Sequence, residues 1–354
     1  MKVERTKLVN QILAQSKESP DDKEVSGFNY KGEIKSIIST GSTLLDLAIS
    51  GGRVHGGGIP SGILVEVFGA SGTGKTVLLC EIAGAVKRKG GQVMFFDPEG
   101  RLNKTFAQLF DFSIDSTEYF MPDTVKEVFA PVRAWSPEGK NKDVVHGIFA
   151  DSLAALSTSW ELEDKDEYGM RRAKEFSEEL RKTCRILAQK NYLMVCSNQV
   201  RQNLAAGPYG QKYKTPGGEA VGFYSSLRLQ CSLIQKIKRK RKIAGKEFEQ
   251  VVGIETQVMV YKSSVWKPYH TAPLFILFDY GIDDIQANLR FLKEVKGETE
   301  FILGKQKLGR SIDDAIAVIE KEGLEKMLRE EVILLWERIE NEFSSSRKTK
   351  VRTE

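Results

Sequence analysis

The chain has 354 residues, 41% hydrophobic and 29% charged, the balance of a soluble globular protein with one large domain plus appendages. No apolar run approaches the roughly 20 residues a membrane span needs, and Met1-Lys2-Val3-Glu4-Arg5 leads into no signal-peptide core. The net charge of +5 is small, the four cysteines lack C-x-x-C spacing and the three histidines stand far apart; this argues against a disulfide scaffold or a His/Cys metal site, and points to free buried thiols in a reducing, cytoplasmic compartment.

Residues 1–35 carry a short amphipathic helix signal, Val9 to Ala14, and a polar linker, Ser16 to Glu24. They form either a disordered tail or an arm that docks on a neighbouring subunit. Ser39-Thr40-Gly41 predicts a turn into a short helix, followed by a glycine-rich connection from Gly51 to Pro60. Ile63 to Phe68 is an apolar, β-branched run that predicts a buried strand. Next comes Gly69-Ala70-Ser71-Gly72-Thr73-Gly74-Lys75-Thr76, which satisfies G-x-x-x-x-G-K-[ST] at every fixed position. Apolar residues at 78, 79, 82, 83 and 86 then predict a helix with one core face. Strand, glycine loop and helix form the context in which backbone N–H groups wrap an anion at a helix N-terminus. There Lys75 can reach the β- and γ-phosphates of a nucleotide and the Thr76 hydroxyl can bind Mg²⁺. The loop predicts nucleotide binding and leaves its use open.

Gln92 to Asp97 predicts a second buried strand with Pro98-Glu99-Gly100 at its carboxyl end, the ligand-binding edge of an open parallel sheet. Glu99 is either a base for a water facing the γ-phosphate or a plain loop carboxylate. Residues 101–143 are less patterned: a helix near 103–110, then mixed polar sequence with three prolines. Val144 to Ser152 is a strand that ends on Asp151, Walker-B-like, with the carboxylate placed to hold Mg²⁺ directly or through water. Residues 157–169 read as a mobile acidic loop with Trp160 and Tyr168, and a charged helix over roughly 170–190 begins with Arg171 and Arg172. Tyr192 to Gln199 predicts a strand that brings Gln199 to the same edge as Glu99 and Asp151. Residues 201–218 are too long and irregular for a plain connection. They interleave Arg201, Lys212 and Lys214 with Tyr209 and Tyr213 and end on Gly217-Gly218, a mix suited to single-stranded nucleic acid. A plain surface loop is the alternative.

Strands are predicted at 226–231, 255–261 and 274–278, with the basic run Lys236 to Lys242 at a hairpin between the first two. That run and a second one, Arg347 to Arg352, favour a polyanion such as DNA; a solvated hairpin and a frayed tail are the alternative. From residue 283 on, the composition turns helical and charged. Apolar spacing at 316, 319, 324, 328, 332, 335 and 339 predicts a small helical C-terminal domain with a basic tail.

The order Ile38-Ser39-Thr40-Gly41-Ser42, glycine loop, Phe96-Asp97-Pro98-Glu99, Ala150-Asp151-Ser152, Ser197-Asn198-Gln199-Val200-Arg201, Thr215-Pro216-Gly217-Gly218 and Phe223 to Arg228 resembles the RecA recombinases, including phage relatives of the UvsX type. The resemblance covers residues 36–282. It implies an α/β fold: a RecA-like P-loop NTPase core with a mostly parallel central sheet flanked by helices, a short N-terminal arm and a small helical C-terminal domain at 283–354. It implies ATP and Mg²⁺, with Glu99 as catalytic base, Lys75 on the phosphates, Gln199 as γ-phosphate sensor, Asp151 and Thr76 at the metal, and Phe106 and Phe278 about the adenine. It implies DNA-binding loops at 157–169 and 202–216, and assembly into a helical filament on single-stranded DNA for pairing with homologous duplex DNA. Single-strand-binding and mediator proteins would be further partners. In bacterial members Lys-x-Lys reaches into the neighbour's ATP site; here Lys262-Ser263-Ser264 keeps only Lys262. That departure motivates a second expectation, a RecA-fold regulator that binds nucleotide without exchanging strands.

Overall fold

The apolar run before the glycine loop is extended and buried along its length, Leu64–Gly69 (β3), and lies inside a nine-stranded sheet. The structure is a computed structural model. It describes residues 34, 36–111, 118–137, 144–158, 168–202, 213–214 and 219–343, with the backbone alone at 168–172, 201–202, 213–214 and 219. Ahead of β3, Ile37–Ile38 (β1) and Ile59–Pro60 (β2) form a separate antiparallel pair. On one side of β3 run Tyr192–Gln199 (β7), His146–Ala150 (β6), Val93–Phe96 (β4) and Tyr119–Phe120 (β5), all parallel. On the other side Leu227–Ile243 (β10) pairs parallel to β3, and Lys246–Ser263 (β11), Thr271–Leu277 (β12) and Gly281–Ile282 (β13) continue antiparallel. The fold is therefore α/β with a large, mostly parallel sheet flanked by helices.

A parallel sheet is buried on both faces, and its alternating side chains divide between two cores. Val93, Phe95, Phe149, Leu193 and Val195 point to one face, under Thr43–Ser50 (α1) and Lys75–Arg88 (α2). Between β4 and β5, among the described residues, lies a short helix, Lys104–Gln108 (α3), capped by Asn103. Met94, Phe96, Ile148, Met194 and Cys196 point to the other face, under Val125–Ala134 (α4) and Tyr168–Lys190 (α5). The α4 and β5 segments fall in the poorly patterned stretch of the sequence. Pro131 inside α4 and the two-residue length of β5 hide both from a periodicity argument. Glu219–Tyr224 (α6) leads into β10.

Beyond the sheet, Asp284–Lys296 (α7), Ile312–Glu322 (α8) and Glu325–Glu342 (α9) bear out the helical pattern near the C-terminus. Two short strands, Phe301–Leu303 and Gln306–Gly309, interrupt it, because Gly304 at φ 59 makes the tight turn between them. Leu303, Ile319, Leu328 and Val332 join the same hydrophobic cluster that covers the α1–α2 face of the sheet.

The basic run lies at a hairpin between β10 and β11, as expected, but both strands are longer than predicted: β10 continues through Lys236–Lys242 to Ile243, and β11 starts at Lys246. The turn is the pair Ala244 and Gly245, both at positive φ (48 and 81), the backbone of a two-residue hairpin loop. Cross-strand Lys–Glu pairs let a lysine-rich stretch remain in a ladder.

Under β3, Glu66 is fully buried and accepts from Arg228 Nε at 2.6 Å and Asn198 Nδ2 at 3.0 Å. Arg228 also stacks over Phe68 at 4.6 Å. Arg228→Met would strand a buried carboxylate, and a loss of about 3–5 kcal/mol is expected. Glu66→Gln in the same chain should restore most of it. The midpoint of chemical denaturation measures both, and a single variant as stable as the parent would refute the account.

Candidate functional site

The site lies where parallel strands end together. β3 ends on Gly69 and pairs in register with Gln199 at the end of β7, while β4 and β6 lead directly into Asp97 and Asp151. The glycine loop bridges this edge to α2 and opens a cleft of about 290 Å³. Ser71 to Val77, Asp97, Glu99, Asp151 and Gln199 line it, together with the apolar Ile254, Ile276 and Phe278.

The loop needs its glycines for different reasons. A Cβ on Gly69 would stand 2.3 Å from the carbonyl oxygen of Cys231 on the neighbouring strand. Gly74 sits at φ +81 and a Cβ there would meet Ile276 Cδ1 at 2.2 Å. Gly74 caps α2 without any side-chain hydrogen bond, so the helix presents its uncapped N-terminal end to the cleft, an anion-favouring arrangement. Lys75 is 8% exposed, and its ammonium donates to the carbonyls of Gly69 at 3.1 Å and Ala70 at 2.7 Å. Burial pulls its pKa below the ordinary lysine value, partly offset by Cys231, Asp151 and Glu99.

Thr76 donates its hydroxyl to Asp151 Oδ2 at 2.5 Å, and Ser197 donates to Asp151 Oδ1. Burial raises the Asp151 carboxyl above the ordinary aspartate range against these hydrogen bonds. A hydroxyl beside a carboxylate at the foot of a phosphate loop is a hard-oxygen donor pair that fits Mg²⁺, with phosphate and water oxygens completing the shell. Among the described residues there is no cluster of three His, Cys, Asp or Glu that could hold a metal without such a ligand.

Glu99 is positioned by the turn that carries it. Asp97 is buried and accepts from Gly100 N at 2.9 Å, Leu102 N at 2.8 Å and the Tyr119 hydroxyl at 2.7 Å. These bonds fold residues 97–102 back so that Glu99 faces the cleft, where Ser152 Oγ donates to it at 3.1 Å and Arg101 pairs with it at 2.7 Å. Asp97, Arg101, Ser152 and Ser197 are site residues that the motifs did not single out. Their signal was present, since each lies at or within a few residues of the end of a predicted strand.

Of the remaining expected site residues, Phe278 is half-exposed on the cleft wall. Phe106, on α3, packs edge to face on Phe110 at 5.2 Å, partly buried against the core, and is not part of the cleft lining. Lys262, on β11, donates to the carbonyls of Gly222 and Phe223, both at 2.9 Å, and is likewise outside this cleft. Tyr168, Arg171 and Arg172 lie at the start of α5. Arg201–Gln202 (β8) and Tyr213–Lys214 (β9) form a two-stranded ladder that pairs Arg201 with Lys214 and starts two residues after Gln199. Trp160, Tyr209, Lys212, Gly217 and Gly218 lie outside the described residues, as do residues 1–33 and the basic C-terminal run. No helix among the described residues is long and apolar enough to cross a membrane.

The chain is similar to known proteins over most of its length. The model of the RecA N-terminal domain matches residues 24–283. The chain is 32% identical over 305 residues to "Protein RecA" of Thermus thermophilus, a match covering 84% of each chain. The proteins of the same name in two further strains of that species match over the same length at the same identity.

Proposed function

The chain belongs to the RecA family, and from that premise we propose that it is an ATP-dependent DNA recombinase that assembles on single-stranded DNA and pairs it with homologous duplex. The observation that carries the proposal is the convergence of Lys75, Thr76, Glu99, Asp151 and Gln199 on one cleft, with Gln199 leading directly into the β8–β9 ladder. ATP would lie with its phosphates on residues 69–76, and Thr76 and Asp151 would hold Mg²⁺, which when bound neutralises phosphate charge. Lys75 would hold the β- and γ-phosphates. Glu99 would take a proton from the water that attacks the γ-phosphorus. Gln199 would contact the γ-phosphate from the end of β7 and order the segment after it, so that nucleotide state biases the DNA grip. Lys262 would act from one subunit on the ATP of the next.

The test is direct. Purified protein should show ATPase stimulated by single-stranded DNA, filaments on that DNA with an ATP analogue in electron micrographs, and D-loop formation. Absence of both stimulation and filaments would sink the proposal. The regulator reading draws on Ser264, whose backbone N–H is tied to Ser226 O at 2.7 Å where bacterial relatives carry a second lysine. ATPase and filaments without D-loop formation would favour it.

A further inference from the structure

Arg101 lines the cleft with a firm backbone and a loose side chain. Asp97 fixes the chain on both sides of it, accepting from Gly100 N at 2.9 Å and from Leu102 N at 2.8 Å. Gly100, at φ +62, makes the bend between Glu99 and Arg101 in a conformation that other residues adopt only with strain. The Arg101 side chain itself is 78% exposed, against 16% for Glu99. The guanidinium can therefore turn while its anchor stays in place.

Two groups divide the Glu99 carboxylate between them. Ser152 Oγ donates to Oε1 at 3.1 Å, and Arg101 pairs with Oε2 at 2.7 Å. Among the described residues Arg101 makes no other hydrogen bond or ion pair. An ion pair this exposed is weak, because water screens it and holding the long side chain costs entropy, so its release costs little. When Arg101 leaves, Ser152 still holds Glu99 and Oε2 is uncovered. Of the described residues that line the cleft, Lys75 and Arg101 carry positive charge, against Asp97, Glu99 and Asp151. Lys75 is buried and tied to the loop carbonyls, which leaves Arg101 as the cation free to move.

We propose that Arg101 is a further catalytic residue, a cation from the same chain that exchanges the Glu99 carboxylate for the γ-phosphate of ATP. The inference rests on the reading of this cleft as an ATPase site and adds a residue to it. A triphosphate presents more negative charge than one carboxylate, and a planar guanidinium pairs with two phosphate oxygens at once. The exchange has two effects. It uncovers Glu99 Oε2 for water only when a γ-phosphate is there to be attacked. It also sets positive charge beside the γ-phosphoryl oxygens, over which charge is spread in the transition state. In the step itself the water oxygen bonds to the γ-phosphorus as the bond from that phosphorus to the β–γ bridging oxygen breaks. The bridging oxygen keeps the electron pair and leaves with ADP, and Glu99 takes one proton of the water. Arg101 gains and loses no proton; it donates hydrogen bonds to the γ-phosphoryl oxygens.

Arg101→Gln in the full-length protein tests this, and because the side chain is exposed the variant should fold like the parent. Single-turnover ATP hydrolysis is measured with single-stranded DNA present, and a non-hydrolysable ATP analogue and ADP are titrated separately. Hydrolysis should fall about 10²-fold or more. The preference for the analogue over ADP should fall about tenfold, the loss of charged hydrogen bonds to the γ-phosphate alone. In a Glu99→Gln background, Arg101→Gln should lower that preference by the same factor, since the contact does not run through Glu99. A faster rate would make Arg101 a brake on Glu99, and an unchanged rate would leave it a surface ion pair. A slower rate with unchanged preference for the analogue would make it a positioning residue for Glu99. Each of these three results, in a parent that hydrolyses ATP, would overturn the proposal alone. A parent that does not hydrolyse ATP would overturn the ATPase reading and the proposal with it.

Discussion

Lys75→Ala is expected to reduce ATP hydrolysis at least ~10²-fold, to background, and to weaken binding of a non-hydrolysable analogue. The side chain is buried, yet among the described residues its ammonium hydrogen-bonds just to the carbonyls of Gly69 and Ala70 in the loop. A cation held there, with its pKa lowered by burial, is poised to exchange carbonyl contacts for phosphate oxygens. Alanine removes the charge where it cannot be replaced by water at equal strength, because the surroundings are of low polarity. Lys75→Arg should fail as well, since a planar guanidinium does not fit a space shaped for a compact ammonium. Phosphate release with single-stranded DNA measures hydrolysis, and analogue titration measures binding. Retained ATPase in the alanine variant would show that residues 69–76 do not hold the phosphates.

Glu99→Gln separates binding from chemistry. Loss of a positioned general base typically costs about 10²–10⁴-fold, and a rate reduction of that order is expected with analogue affinity nearly unchanged. The substitution is close to isosteric, and glutamine can still accept from Ser152 Oγ, whose contact is 3.1 Å in the parent. The Asp97-centred turn that positions residue 99 is untouched. If ATP turnover drives DNA release, this variant should also remain on single-stranded DNA far longer in the presence of ATP. An unchanged single-turnover rate would move the base elsewhere in the cleft.

The edge that carries the candidate site was legible because a parallel α/β sheet ties local pattern to position. A buried strand that ends in a polar residue delivers it to the carboxyl edge, so Glu99, Asp151 and Gln199 could be grouped before any coordinates. The glycine loop was legible for a related reason, since its signature is consecutive in the chain. What could not be read was what crosses the sheet. Asp97 looked like the last residue of a strand, and its hydrogen bonds to Tyr119 and to the 100–102 backbone depend on a strand two residues long in an unpatterned stretch. Glu66 stands inside the run read as an apolar strand, and its pairing with Arg228 spans 162 positions of sequence. Phe106 was placed by motif order, but its packing on Phe110 is fixed by the end of a five-residue helix.

The basic run shows the same division most clearly. Composition determined that residues 236–242 carry dense positive charge. Only the pairing register decided where that charge is free. A one-residue shift would exchange the faces, setting arginines opposite glutamates and leaving the lysines unopposed. Local pattern, meaning the glycine loop, the strand-end carboxylates and the helix periodicities, is written in consecutive residues, and the sequence by itself determined it. Cross-strand partners, burial of charge and the matched face of the hairpin arise from contacts between residues far apart in the chain, and the tertiary structure alone decided them.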